Sequence, residues 1–232
     1  MFFQTFFDMK PKKIILIRHG ESEGNINNEI YALKPDYALL LTEKGKIQSY
    51  AAGQKLKDLI QDETVMFYIS PFWRTRMTFE QIMLHFDKER IAYREEPRIR
   101  EQEWGHLRTV EEIKKMEKER DAYGTFYYRI PNGESGADLY DRLSDFMDTL
   151  HRDFDKKNYP ENTVLITHGM TIRLFLMRWF HWTVEHFETI ANPKNCDLIE
   201  MQLQDDGKRY ELVTEMTIHS VYHPFQYKSE YL

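Results

Sequence analysis

IILIRHGESEGN, residues 14 to 25, passes within one residue from an unbroken apolar run to a crowd of polar, reactive groups. Ile14, Ile15, Leu16 and Ile17 form a run far too short to span a membrane and are flanked by lysines, so they read as a strand buried on both faces. In open α/β sheets ligands gather outside the carboxyl ends of the strands, and Arg18, His19 and Gly20 fall at that end. TVLITHG, residues 163 to 169, repeats the design: a short apolar strand closing on His168-Gly169. Parallel neighbours lie about 4.8 Å apart, so on adjacent strands the two imidazoles reach one small ligand. A single histidine after a strand is often only a polar stop. Two of them, each followed by glycine, point to a shared site.

The chain has 232 residues, 41% of them hydrophobic and 14% aromatic, enough to bury one sizeable core. We expect one domain over residues 1–232 with a lid insertion at 106–131. A formal charge of -6 argues against a nucleic-acid partner, which needs a basic face for phosphate contacts. Small anionic substrates stay compatible with it if positive charge is local. Cys196 is the one cysteine and nothing has a zinc spacing, so a reducing compartment, the cytoplasm, is the default expectation. No stretch approaches the roughly 20 apolar residues of a membrane span, and the start lacks the basic and long apolar regions of a secretory signal. Phe2, Phe3, Phe6 and Phe7 make a small sticky face, better suited to packing on the body or a homodimer contact than to a membrane anchor.

Glu21 to Asp36 reads as a loop with at most a turn of helix. Thr42 is an N-cap with Glu43 in the first turn, and Ile47, Ala51, Leu56, Leu59 and Ile60 mark an apolar helix face. Val65 to Ile69 is a second strand, ending on Ser70-Pro71 with Arg74 and Arg76 just beyond. Glu89 to Arg120 is dense in both charges and reads as solvated surface with helical side-chain pairs, a helix running from Val110 to Arg120. Glu101-Gln102-Glu103-Trp104-Gly105 is the exception, acids beside a tryptophan and a glycine. Ser135 caps a further helix with Asp138 three residues on, its stripe running through Leu139, Leu143, Phe146 or Met147, Leu150 and Phe154. Met170 to Phe180 reads as a helix starting beside His168. Cys196 to Leu203 and Arg209 to Met216, around Asp205-Asp206-Gly207, read as a terminal hairpin.

Arg18, His19, Arg74 and His168 on one rim make a cationic pocket of a size suited to phosphate. Guanidinium groups present a planar fork of donors to phosphate oxygens, and a neutral imidazole is a nucleophile near neutral pH. Phosphoryl transfer asks mainly for positioning and for stabilising charge on the equatorial oxygens, to which an amide such as Asn25 can add. A departing alcohol also needs a proton. Glu101 is a candidate to give it, if burial keeps its carboxyl protonated. A metal centre is the weaker reading, because Arg18 beside His19 repels a cation and no dense carboxylate cluster accompanies the histidines.

LIRHGESEGN resembles the signature of the histidine phosphatase superfamily, the phosphoglycerate-mutase-like proteins. Leu41-Thr42 to Gly45, Ser70-Pro71-Phe72-Trp73-Arg74 with Thr78, Arg100-Glu101 to Gly105, Gly133-Glu134-Ser135 and Thr167-His168-Gly169 are similar to its later motifs, in order, over about Lys13 to Leu203. The resemblance implies an α/β fold, a three-layer α/β/α sandwich around a largely parallel, mixed sheet, with no metal or other cofactor. It implies His19 as the phosphorylated nucleophile, Arg18, Asn25, Arg74 and His168 as phosphate ligands, and Glu101 as proton donor. Glu103 is the rival acid, but Glu101 fits the family's spacing to Gly105.

The superfamily holds both phosphatases and mutases, and fold alone does not choose between them. The insert between Glu101 and Gly133 is shorter and less basic than the one that holds a bisphosphorylated cofactor in the mutases. Where they have Glu-Arg-His-Tyr-Gly this chain has Glu-Gln-Glu-Trp-Gly. Water is therefore the expected acceptor. The chain looks most like the broad-specificity acid phosphatase branch, acting on small phosphorylated metabolites. Bisphosphoglycerate-dependent phosphoglycerate mutase is the alternative, and a non-catalytic phosphate-binding or scaffold protein the alternative from another class.

Overall fold

The computed structural model of the chain describes residues 10–105 and 109–219. The phenylalanines of the N-terminus, His106 and Arg108 of the insertion and the aromatic tail from Val221 lie outside the described residues.

Strand β1 (Lys13–Arg18) is followed by α1 (Glu23–Ile26), two short 3-10 turns (Asn28–Ala32 and Asp36–Ala38) and α2 (Glu43–Ile60). Then come β2 (Val65–Ile69), α3 (Trp73–Ile82), β3 (Ile91–Glu95), α4 (Val110–Tyr123), α5 (Gly136–Phe154), β4 (Asn162–Thr167), α6 (Gly169–Phe180), α7 (Val184–Thr189), β5 (Leu198–Leu203) and β6 (Tyr210–Leu212). The sheet order is β3-β2-β4-β1-β5-β6. The first four strands are parallel, while β5 runs antiparallel to β1 and β6 to β5, which makes the sheet mixed.

Alternation along β1 creates the layers. Ile14 and Leu16 enter a core shared with Leu139, Leu143 and Phe146 of α5 and Ile172 and Phe175 of α6. Ile15 and Ile17 face the other way, onto Leu56 and Ile60 of α2 and Ile82 of α3. Successive side chains of a strand point to opposite faces, so four consecutive apolar residues need a helix layer on each side. β1 and β4 are direct parallel neighbours with Arg18 opposite Thr167, which brings His19 and His168 to the same edge.

Both predicted caps form. The Thr42 hydroxyl accepts from the Gly45 N–H at 3.0 Å, and Ser135 exchanges hydrogen bonds with Asp138 across the first turn of α5. The predicted face of α2 holds at Leu56, Leu59 and Ile60 and is corrected at Ile47 and Ala51. Ile47 is 71% exposed and Ala51 is also exposed, while Gly45, Ser49, Ala52, Gly53, Leu56 and Ile60 point inward. Close approach decides this. A Cβ at Gly45 would meet the Glu21 carbonyl oxygen at 2.0 Å, and one at Gly53 would meet the Ile82 Cα at 2.9 Å, so the small residues are the contact face.

Two further expectations change. The charged stretch after Glu89 contains β3, an edge strand paired in parallel with β2 and mostly open to solvent. Edge strands carry charge as protection against mispairing, and that hides their period. The second arm of the terminal hairpin is three residues, Tyr210 to Leu212, rather than the eight from Arg209 to Met216, and Cys196 precedes β5 in a left-handed turn with φ of 62°.

Candidate active site

The carboxyl ends of β1, β2 and β4 meet at one edge of the sheet, and a cleft of about 670 Å³ opens beside it. Arg18, His19, Asn25, Arg74 and Glu101 all line this cleft.

His19 follows β1 directly and is 4% exposed, its backbone N–H bound to the Thr167 carbonyl of β4 at 3.0 Å. Its Nδ1 lies 2.7 Å from the Gly20 carbonyl. A carbonyl oxygen only accepts, so Nδ1 carries the proton and Nε2 keeps its lone pair. Burial, helped by Arg74 and Arg18, holds the imidazole well below its ordinary titration range, so the ring is neutral.

His168 is fully buried, with ring centroids 5.2 Å from His19 and 5.1 Å from Phe72. Its Nε2 lies 2.7 Å from the Ser70 hydroxyl, while Nδ1 is buried with no partner among the described residues. In the tautomer in which the Ser70 hydroxyl donates to Nε2, the proton sits on Nδ1 as an unused donor. Burial, followed by Arg74, lowers this pKa well below the ordinary value too.

Arg74 is placed by the first turn of α3, immediately after the Ser70-Pro71 bend, and is 3% exposed. Its guanidinium stacks over Phe72 at 4.9 Å. Nη1 donates to the Asp36 carboxylate at 2.8 Å and to the Asp36 carbonyl at 2.7 Å, with Nη2 to the second carboxylate oxygen at 3.4 Å. One edge of the fork is therefore held by Asp36. Arg18 donates to the Pro193 carbonyl at 2.6 Å through Nη1, and its buried Nε has no partner among the described residues.

Asn25 sits in α1 and is exposed. Its Oδ1 accepts from the Ser22 N–H at 3.0 Å and from Asn195 Nδ2 at 3.2 Å. The amide oxygen is thus occupied, and Nδ2 is the end that Asn25 can offer an anion.

Glu101 follows a 3-10 turn at Pro97–Ile99, and its Oε1 accepts from the Gln102 N–H at 3.1 Å and from the Thr171 hydroxyl at 3.4 Å. Burial pushes its carboxyl above the usual range against the opposing pull of Arg74 and Arg18, with Asp36 pushing the same way as burial. Glu103 also lines the cleft but is exposed. The segment carrying both acids is tied down from α5: Arg142 donates to the Arg100 and Glu101 carbonyls, each at 2.9 Å, and to Glu134 at 2.8 Å. Arg76 pairs with Glu95 on the outer side of the sheet at 2.7 Å.

Sequence reasoning missed Asp36, Asn195 and Arg142, and saw Ser70 only as a strand end. Asp36 and Arg74 are 38 positions apart, and Ser70 and His168 are 98 apart. Nothing local marks such partners. Among the described residues no three His, Cys, Asp or Glu side chains converge as a metal ion would need, and no helix is long and apolar enough to cross a membrane.

Residues 14–215 match the family model of the histidine phosphatase superfamily, branch 1. The chain is 43% identical over 210 residues to the phosphoglycerate mutase-like protein AT74 of Arabidopsis thaliana, covering 85% of this chain and 66% of that one. It is 30% identical to the broad-range acid phosphatase DET1 of Saccharomyces cerevisiae, over 90% of this chain and 91% of the relative. The fold is similar to that of a mycobacterial glucosyl-3-phosphoglycerate phosphatase, with a TM-score of 0.68 at 19% identity over 88% of this chain and 98% of that one. With its motifs, its sheet order and a match across most of its length in agreement, the chain belongs to the histidine phosphatase superfamily.

Proposed function

We propose that this chain is a metal-independent phosphomonoesterase that works through a phosphohistidine on His19, acting on small phosphorylated metabolites in the cytoplasm. Its phosphatase class rests on its family. The observation that carries the mechanism is the His19 Nδ1 bond to Gly20, which leaves a neutral imidazole with its Nε2 lone pair in an arginine-lined cleft.

In the first step the Nε2 lone pair attacks phosphorus, an N–P bond forms and the P–O bond to the alcohol breaks. Glu101, kept protonated by burial, gives its proton to the leaving oxygen. Arg18, the free edge of Arg74, Asn25 Nδ2 and the Nδ1–H of His168 hold the three equatorial oxygens as charge spreads over them. In the second step the Glu101 carboxylate takes a proton from water, the hydroxide oxygen bonds to phosphorus, and the N–P bond breaks. Inorganic phosphate leaves, with Nε2 and the carboxyl restored. The positive charge this chemistry needs comes from the two arginines, which supports metal independence.

Exposure to ³²P-labelled substrate, rapid quenching and peptide mapping test this reading, with and without chelator. Label on the peptide containing His19, undiminished by chelator, is expected. Label on Ser22, Ser70 or His168, or activity that only Mg²⁺ restores, overturns it.

Phosphoglycerate mutase is the second reading, favoured by similarity at 26% identity to a bisphosphoglycerate-dependent mutase of Bartonella henselae. Bisphosphate-dependent isomerisation of 3-phosphoglycerate that outpaces phosphate release would select it.

A further inference from the structure

Among the described residues, each cation lining the cleft except Arg18 already has a carboxylate. Lys34 is paired with Glu23 at 2.8 Å, Arg100 with Glu134 at 2.6 Å and Arg74 with Asp36 at 2.8 Å. Glu103 and Glu117 also line the cleft, and neither forms an ion pair among the described residues. Arg120 of α4 sits 5.3 Å from the Trp104 ring and within electrostatic reach of Glu101 and Glu117. Beyond the arginine seat, Glu103 and Glu117 are the carboxylates of the described lining that make no direct ion pair. A second anionic group on a substrate would meet the Glu103 and Glu117 carboxylates there.

Apart from Ser22, Asn25 and Asn192, the rest of the lining is apolar and aromatic, and it begins at the seat itself. Phe72 lies against both Arg74 and His168. The Tyr31 phenol, pushed up to about 12 by burial, is within electrostatic reach of Arg74, Glu101 and Arg18. Trp104 and Ile113 continue the wall, and Leu33 and Tyr37 stand at the lip, 81% and 55% exposed. Large apolar side chains left open beside a concave polar seat are the usual mark of a surface that a ligand covers.

We infer that the cleft selects monophosphate esters whose alcohol part is uncharged and carries an aromatic or broad apolar face, and disfavours esters with a second phosphate or a carboxylate. This rests on the phosphomonoesterase reading above. The inference names the leaving group, which the phosphate seat alone does not decide.

Four substrates with leaving alcohols of similar basicity isolate the effect: 2-phenylethyl phosphate, glycerol 3-phosphate, 3-phosphoglycerate and fructose 1,6-bisphosphate. We expect kcat/KM for 2-phenylethyl phosphate to exceed that for 3-phosphoglycerate by at least about tenfold, the size of one aromatic contact. Trp104→Ala should remove about tenfold for the phenylethyl ester and leave glycerol 3-phosphate within about twofold. Glu117→Lys should raise 3-phosphoglycerate by about tenfold relative to glycerol 3-phosphate, and this gain should shrink with added salt. A wild-type preference for 3-phosphoglycerate or the bisphosphate overturns the inference and leaves the hydrolase reading standing. No hydrolysis of any of the four by folded protein overturns both.

Discussion

Replacing Glu101 by glutamine keeps the size and a hydrogen-bond donor of the side chain but removes the transferable proton. The carboxyl is pushed above its ordinary range by burial, against Arg74 and Arg18. That shift extends upward in pH the range over which it holds a proton to give to an alkoxide. General acid assistance of this kind is worth about 10²- to 10⁴-fold, so Glu101→Gln should slow phosphorylation by glycerol 3-phosphate by about that factor. p-Nitrophenolate leaves without a proton, and the loss on its ester should be within about tenfold. The comparison belongs to single-turnover phosphorylation, because in the proposed mechanism the Glu101 carboxylate also activates the water of the second step. The pH dependence supplies a second readout. His19 is held well below its ordinary range and stays unprotonated, so it places no limit on the mildly acid side. Glu101 must be protonated, so the wild-type rate on glycerol 3-phosphate should fall as pH rises through its raised pKa, and this alkaline fall should vanish in the variant. Equal, minor losses on both esters, an unchanged pH profile, and a large leaving-group-dependent loss at Glu103→Gln would refute this assignment.

His168→Ala should slow both formation and hydrolysis of the labelled intermediate, each by at least about tenfold, because it removes a donor to the phosphoryl oxygens in both steps; an effect confined to one step in rapid-quench measurements would contradict that role. Asp36→Asn should tighten inhibition by inorganic phosphate by about tenfold, since the carboxylate on Arg74 competes with the anion, and an unchanged or weaker inhibition constant would show that Asp36 only orients the arginine. Gly45→Ala should destabilise the protein by at least about 2 kcal/mol in urea unfolding, because the added Cβ meets the Glu21 carbonyl oxygen at 2.0 Å and only backbone movement relieves it; a neutral result would mean that α2 packs less tightly on that loop than described.

Features whose cause lies within a few residues were legible in the sequence. An apolar run ending on Arg18-His19 predicts a buried strand with chemistry at its carboxyl end, because every backbone group of the run is satisfied by a sheet and every side chain by a helix layer. The caps at Thr42 and Ser135 depend on groups three residues away, and both form. The pairing of two His-Gly strand ends could be read because both strands carry the same local pattern, and β1 and β4 are neighbours. Contacts between distant positions leave no such trace. Ile47 and Ala51 belong to a plausible helix face until Gly45 and Gly53 let the backbone of α2 approach Glu21 and Ile82, which turns the other face inward. Strand β3 is hidden because an edge strand exposes its charges. The hold of Asp36 on Arg74 and of Arg142 on the Glu101 segment arises only when α3, α5 and the loop before α2 converge at one cleft. The residue types proposed for a phosphate seat, Arg18, His19, Arg74 and His168, are visible in one dimension. Which groups each of them touches, and therefore which nitrogen of His19 is left free and which edge of Arg74 is occupied, is decided by packing between segments that the chain order keeps apart.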